Sequence, residues 1–320
     1  EAFRKYAFEP FTKATGIEVI DGEFGDMNSY LTRVKASYPP GGEFNIAHLS
    51  AVFDYARYAD LGFATVLDES QIPNLDLVMK AMIKPLRDIT NGTLSAVPYD
   101  LGQTGIAYNT NHISKEKAEK LGASLLWDKD LKDKLGSWGG DFRTNMWYAA
   151  LHTGQSPNDM TDLDAIWAAL REQRDLVKKY WSSGAELMSL LANEEIYATV
   201  AWSGRVAALQ DQGKPIGFLA PKNCYSWQEC IFVIKGTNLD VAHKLLDFML
   251  APEASIAVAE GQKYPPSLDP TKVPLPDTVK KLPAFDPTGK LEGYLFADPE
   301  YWNGHQVDWA EKWDRIKAGA

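Results

Sequence analysis

A tryptophan and a glutamate stand two residues apart in the segment NCYSWQECIFVIKG, residues 223–236. Along an extended chain, side chains two residues apart point to the same face, so Trp227 and Glu229 share one. An indole face attracts a cation, and a carboxylate accepts a charge-assisted hydrogen bond from an ammonium group. A half-buried tryptophan beside a solvated glutamate has the same spacing. The pair therefore indicates either a cation site just before a strand at 231–234 or an ordinary strand surface.

The other reactive residue types form no catalytic or metal motif. The five histidines are scattered along the chain: His48, His112, His152, His243 and His305. The sequence lacks H-E-x-x-H, the G-x-S-x-G elbow, the phosphate loop G-x-x-x-x-G-K-[ST] and the dinucleotide pattern G-x-G-x-x-G. We therefore predict no catalytic residue, no metal site and no cofactor. Cys224 and Cys230 are either a local disulfide or two unrelated buried thiols.

Size and charge narrow the class of protein. A chain of 320 residues predicts two domains, and 45% hydrophobic with 24% charged residues is a globular composition. A formal net charge of -10 argues against a nucleic-acid partner and is compatible with a cationic ligand. No apolar run is long enough for a membrane span. The chain opens in a helix with no visible leader, and a cleaved leader would leave the same start.

Helical and strand-like patterns alternate along the chain. Helices are predicted at 1–15, 27–37 (ended by YPPGG), 51–62, 163–181, 203–213, 240–255 and 306–319. Strands are predicted at 17–20, 44–49, 94–98, 105–108, 197–202, 217–221 and 231–234. This order is typical of an α/β fold with a mainly parallel sheet covered by helices. The segments 94–111 and 223–236 interrupt this alternation of helices and strands, and we call them the crossing segments. The ends of strands at such topological switch points are where α/β proteins bind ligands.

Five stretches, in order, resemble the periplasmic solute-binding proteins of ABC importers, and within them the spermidine/putrescine-binding branch. They are FEPFTKATGIEVI, PYDLGQTGIAYN, VAWSGRVAALQDQGKPIGFLAPK, SWQECIFVIKGTNLDVAHKLLDFMLAPE and QKYPPS. The resemblance implies a type II fold of two lobes, each a mixed sheet flanked by helices, with ligand trapped in the interlobe cleft by hinge motion. Lobe one would be 1–104 with 228–272, and lobe two 105–227 with 273–320. It also implies a monomer in the periplasm that delivers solute to membrane permease subunits.

The resemblance transfers binding roles to several positions. The matching aromatic and acidic residues are Trp202, Trp227, Glu229 and Tyr264. Ser50, Phe53 and Gln103 are further candidates, the first two with a one-residue uncertainty in register. The family usually begins with a strand that carries an aromatic ligand contact, and this sequence starts without one, so we expect its start to be shortened.

The sequence departs from the family where polyamine binders carry two acids that hold the far amine. Those positions fall near Phe142 and Asn145, with Asp141 one residue off and Arg143 between them. An Arg143 that faces the ligand would bind a carboxylate in bidentate geometry, and one that faces solvent would not. We expect a solute with one amine and an acid group, such as an amino acid derivative, an opine or a γ-amino acid, with a plain diamine as competitor. A two-lobed enzyme and a chemosensory binding protein are the alternatives.

Overall fold

The computed structural model describes residues 1–22, 27–37 and 44–319. The chain divides into two compact units. The first unit comprises Glu1–Leu101 and Trp227–Glu292, and the second comprises Gly102–Ser226 and Gly293–Ala320. The segment 273–292, which we assigned to the second lobe, lies in the first unit. There the Thr278 hydroxyl donates a hydrogen bond to the Glu260 carboxylate.

The helices and strands have the following bounds. The helices are α1 Glu9–Thr15, α2 Met27–Ser37, α3 Val52–Asp60, α4 Lys80–Ile89, α5 Lys115–Leu121, α6 Phe142–His152, α7 Leu163–Arg174, α8 Gly184–Ala192, α9 Ser203–Asp211, α10 Leu239–Leu250, α11 Pro252–Gln262, α12 Asp277–Lys280, α13 Pro299–Gly304 and α14 Gln306–Ala318. The strands are β1 Ile46–Leu49, β2 Ala96–Asn109, β3 Leu135–Trp138, β4 Val177–Trp181, β5 Ala198–Trp202, β6 Ile216–Leu219, β7 Tyr225–Val233 and β8 Leu295–Phe296. None of the helices that the structure describes is long and apolar enough to cross a membrane.

The first unit is built on an antiparallel pair of strands, β1 and the second half of β7. The backbone N–H of Val233 also donates to Ser95, which joins β7 to the start of β2. Phe232 lies on the helix-covered face, with its ring centroid 5.6 Å from that of Tyr55 and 5.4 Å from that of Tyr58, both on α3. These aromatic contacts hold α3 against the sheet and thereby fix the end of β1.

The second unit holds the parallel part of the sheet. Strand β3 pairs in parallel with both β4 and β5, whereas β2 runs antiparallel to β5 and β6. Our expectation of a mainly parallel sheet is therefore wrong, and the mixed sheet implied by the family resemblance is correct. Helix α9 follows β5 at once and ends before Gly213, whose φ of +73° suits glycine.

Three sequence predictions of secondary structure fail. The predicted strand at 17–20 is irregular: Ile17 and Val19 pack against the core, but Ile20 is 88% exposed and the segment pairs with no strand of the described residues. The predicted helix 163–181 ends at Arg174, because the next residues form β4 in register with β3. The predicted helix 240–255 breaks between α10 and α11, where Pro252 starts the second helix. The segment YPPGG, residues 38–42, which we predicted to end the helix at 27–37, lies outside the described residues. The helix itself, α2, spans Met27–Ser37.

Both crossing segments are single strands. The two pieces predicted at 94–98 and 105–108 form one strand, β2, which is buried along its length. Similarly, Trp227 and Glu229 lie within β7 and not before it. Each strand passes from one unit to the other, β2 after Leu101 and β7 after Ser226.

Candidate functional site

Trp227 and Glu229 lie in the first unit, where their strand alternation gives them a common face. The intervening Gln228 is buried on the opposite side and donates from its Nε2 to the Met82 carbonyl at 2.8 Å. The Trp227 residue is 8% exposed, and the Glu229 side chain is 19% exposed. The carboxylate therefore keeps partial access to solvent beside a buried ring.

Tyr264 completes an aromatic corner with Trp227. Helix α11 ends at Gln262, and Lys263 adopts a left-handed conformation with φ of +68° that redirects the chain. Tyr264 follows directly, and its ring meets the indole of Trp227 with centroids 5.0 Å apart and planes at 74°. This edge-to-face geometry is the one that the quadrupoles of two aromatic rings prefer.

The sequence did not suggest the partner of Glu229, which is His48. In the register of β1 and β7, His48 lies opposite Ile231, so Glu229 is its diagonal neighbour on the same face. The His48 Nε2 atom lies 2.8 Å from Oε2 of Glu229. Register between strands that are far apart in the chain cannot be read from one sequence, which explains why the pair was missed.

Asp100 is the third titratable group at this position, and it is only 1% exposed. Its Oδ2 accepts a hydrogen bond from Gln262 Nε2, whereas Oδ1 is buried and, apart from Glu229, has no hydrogen-bond partner among the described residues. Burial raises the pKa of Asp100 well above its ordinary value, the negative charge of Glu229 and the hydrogen bond between the two carboxyl groups raise it further, and the bond from Gln262 opposes these effects. One ligand atom each of His48, Asp100 and Glu229 lie within 4.8 Å of one another.

Ser50 and Phe53 also lie in the first unit, at the end of β1 and on α3. The Ser50 hydroxyl donates to Asp54 at 3.3 Å, and Phe53 is 5% exposed. Their roles as ligand contacts stay predictions.

In the second unit, Trp202 ends β5 and is part of a cluster of three tryptophans. Its ring centroid lies 5.1 Å from that of Trp138 and 5.2 Å from that of Trp181, and both pairs are edge to face. Trp202 is half-buried, whereas Trp181 is fully buried. The cluster leaves part of the Trp202 indole accessible while its orientation is fixed by packing.

Arg143 and Asn145 are engaged inside the second unit. The Arg143 guanidinium contacts Asp141 at 3.2 Å and donates to Gln306, and the residue is 6% exposed. Asn145 is 1% exposed and donates from Nδ2 to the carbonyls of Trp138 and Asp141. These bonds tie the start of α6 to the end of β3, and they give Arg143 a carboxylate partner within the chain.

Gln103 and Cys230 lie on the crossing strands, and Cys224 directly precedes β7. The Gln103 backbone N–H donates to the Ser203 hydroxyl and its Nε2 to the Ser226 hydroxyl, both at 3.3 Å. Cys224 and Cys230 are free and buried, so of the two sequence interpretations the structure supports two unrelated thiols. Cys224 donates to the Thr104 carbonyl, and its burial raises the pKa of the thiol to about 12.

Known proteins share this architecture and sequence pattern. Residues 6–287 match the family described as bacterial extracellular solute-binding protein. The chain is 26% identical to spermidine/putrescine-binding periplasmic protein 1 of Haemophilus influenzae, over 88% of this chain and 77% of that protein. It is 29% identical to the gamma-aminobutyric acid-binding protein of Pseudomonas aeruginosa, over 93% of this chain and 82% of that protein.

Solved structures give the same fold. A putative spermidine/putrescine ABC transporter protein from Listeria monocytogenes superimposes with a TM-score of 0.83 at 23% identity, covering 98% of this chain and 95% of that one. The expected α/β fold of the periplasmic binding proteins, with a mixed sheet, flanking helices and two units, is thus confirmed. The family match covers most of the sequence and both of its units, and this chain belongs to the bacterial extracellular solute-binding proteins.

Proposed function

We propose that this protein is the substrate-binding component of an ABC importer and captures a small solute through an amine group. The main support for this proposal is the arrangement of Trp227, Tyr264 and Glu229 in the first unit, where an indole held in place by packing lies beside a partly accessible carboxylate. The relatives named above are described as binding spermidine, putrescine or gamma-aminobutyric acid, and all three carry a primary amine.

The chemistry of the two side chains suits an ammonium group. A cation on an indole face is stabilised by about 0.5–2 kcal/mol, depending on how far it is removed from water. A hydrogen bond to a charged group contributes about 1.5–3 kcal/mol. Since Glu229 is partly buried, its bond to an ammonium would be screened less than a surface ion pair. Trp202, which lies in the second unit and is half-buried, stays a predicted ligand contact.

Whether the solute also carries a carboxylate depends on Arg143. Its guanidinium already pairs with Asp141, so a ligand carboxylate would have to replace that partner. This favours a plain diamine or polyamine over amino-carboxylates such as γ-aminobutyrate or opines, which stay in the test panel. The remaining predicted contacts, Ser50, Phe53, Gln103 and Asn145, would shape the site without contributing charge.

The proposed role also specifies where the protein acts and which membrane subunits receive the solute. We infer that the two units act as the lobes of a monomer in the periplasm, close by hinge motion around one solute and deliver it to permease subunits without catalysis. The family is one of solute-binding proteins, and its bacterial relatives named above are described as periplasmic or as binding proteins.

The test is a ligand screen on protein refolded from denaturant to remove bound solute. Putrescine, spermidine, γ-aminobutyrate, basic amino acids and opines are compared by thermal shift, followed by calorimetric titration. A ligand at 100 times its dissociation constant adds about 2.7 kcal/mol to the free energy of unfolding. We expect at least one amine to bind with one site per chain.

A matched pair of variants locates the site. Glu229 and Glu194 each lie near a histidine, at 2.8 Å and 3.0 Å, but only Glu229 shares a strand face with Trp227. Glu229→Gln should lower amine affinity about 10- to 150-fold, the equivalent of one charged hydrogen bond, and Glu194→Gln should leave it unchanged. The proposal is wrong if no amine binds or if both variants bind equally well.

A further inference from the structure

We propose that His48, Asp100 and Glu229 form a binding site for a divalent transition-metal ion of the Zn²⁺ class. The inference goes beyond amine capture because it assigns a role to His48 and Asp100, which the proposed function does not use. It also departs from our sequence prediction, which excluded a metal site on the scattered positions of the histidines.

The donor atoms are close enough to share one ion. Across the described ranges 1–22, 27–37 and 44–319, this is the one group of three histidine, cysteine or acidic side chains whose ligand atoms lie within 4.8 Å of one another. His48 Nε2 and Glu229 Oε2 are 2.8 Å apart. Two ligands of a tetrahedral Zn²⁺ with bonds of about 2.0–2.1 Å lie about 3.4 Å apart. Side-chain shifts of about 1 Å would therefore complete the geometry.

Asp100 supplies the independent sign that a cation belongs here. It is 1% exposed, and apart from Glu229 its Oδ1 has no hydrogen-bond partner in the described part of the chain. Two carboxyl groups held together away from water repel each other when both are ionised. A divalent ion would remove this cost, since it coordinates oxygens of both groups.

The mixture of donors points to the class of ion. An imidazole nitrogen with two carboxylate oxygens suits Zn²⁺ and similar borderline ions, whereas Ca²⁺ takes six to eight oxygen ligands and Mg²⁺ keeps several waters. Three protein ligands would leave one tetrahedral position open.

The surroundings hold the donors in place. Gln262 Nε2 donates to Oδ2 of Asp100, which orients the carboxylate from the side opposite Oδ1. The Phe3 ring lies with its centroid 4.8 Å from that of His48 and 5.0 Å from that of Tyr99. Hydrogen-bonded carboxylates and an apolar shell are the outer layer that metal sites use to fix their ligands.

The experiment titrates Zn²⁺ into full-length protein that has been stripped of metal with EDTA and dialysed. We expect one Zn²⁺ per chain by calorimetry, and a visible absorption band when Co²⁺ replaces it. His48→Gln and Asp100→Asn should each lower Zn²⁺ affinity at least tenfold and reduce the Co²⁺ band. His112→Gln is the control, because His112 contacts Glu194 at 3.0 Å without a third such ligand nearby.

The proposal is overturned if wild-type protein binds no Zn²⁺, or if both site variants bind it as tightly as His112→Gln. Thermal unfolding in EDTA checks that the variants fold. His48 has a side chain that is 38% exposed, so its variant decides the matter even if Asp100→Asn is unstable.

Amine titrations in EDTA keep the two proposals separate. Zn²⁺ binding without amine binding would uphold the metal site and reject the proposed function, and the reverse result would do the opposite. If both bind, Zn²⁺ should weaken amine binding because Glu229 would serve both, and this last expectation alone rests on the proposed function.

Discussion

The edge of the Tyr264 ring lies against Trp227, with centroids 5.0 Å apart and ring planes at 74°. Both rings are almost fully buried, and Tyr264 is held directly after the left-handed turn at Lys263. The contact fixes the orientation of the indole before any solute arrives. A site that is already ordered loses less side-chain entropy on binding.

Replacing Trp227 first by a smaller aromatic residue and then by an aliphatic one should weaken amine binding in two steps. We expect Trp227→Phe to lower putrescine affinity a few-fold and Trp227→Leu about 2- to 30-fold, because the interaction of a cation with the ring is lost only in the second variant. Calorimetric titration measures both. A Leu variant that binds as tightly as Phe would show that the aromatic face does not contact the amine.

Removing Arg143 should lower stability and leave the choice of ligand unaltered. Arg143→Met would remove the guanidinium from Asp141, whose side chain is 26% exposed and would keep only the backbone N–H of residue 143, and we expect the free energy of unfolding to fall by about 2 kcal/mol. Urea unfolding measures this. The affinities for putrescine and γ-aminobutyrate should change by the same factor, whereas selective loss of γ-aminobutyrate binding would make Arg143 a carboxylate clamp.

Mild acid should destabilise the protein through His152. Burial lowers the pKa of His152 below its ordinary value of 6.5, and its ring stacks on Trp127 with centroids 4.2 Å apart. Below pH 6.5 the unfolded chain therefore binds more protons at this site than the folded chain does. The free energy of unfolding should fall as the pH drops from 6.5 towards the folded pKa.

The matching variant is His152→Gln, which cannot titrate. The loss of stability between pH 7.5 and pH 5.5, measured by urea unfolding, should be smaller in this variant than in the wild type. Equal losses, or a pKa of 6.5 or more for His152 by NMR titration, would contradict the expectation.

Both thiols should resist modification while the protein is folded. Cys224 and Cys230 are 4% and 0% exposed, and a buried thiol forms little thiolate. We expect no reaction with a thiol-specific chromogenic reagent in buffer and two reactive thiols per chain in guanidinium chloride. Rapid modification of the native protein would show that one of the crossing strands opens easily.

The sequence predicted the local features well. The side chain of Asp162 caps α7 by accepting a hydrogen bond from the Ala165 N–H, a role typical of an aspartate directly before a helix. The common face of Trp227 and Glu229 follows from the two-residue period of a strand, which holds wherever that strand begins.

What the sequence could not give depends on pairing at a distance. The residues at 177–181 continue a helical pattern, and only their register with β3 makes them a strand. Likewise, His48 and Asp100 come together with Glu229 because β1, β7 and β2 are neighbours in the sheet, and this pairing leaves no local signal. A metal motif defined by short spacing therefore could not find this group.

The discontinuity of the first unit has a consequence for how the protein is made. Ile46 of β1 pairs with Val233 of β7, so the sheet of this unit lacks a strand until the ribosome has passed residue 233. At about 5–20 residues per second, the emerging N-terminal segment waits roughly ten seconds or more for that partner. During this interval Tyr55, Tyr58 and their neighbours cannot bury themselves against Phe232. The first unit of the nascent chain should therefore stay unfolded and open to chaperones until β7 has been made.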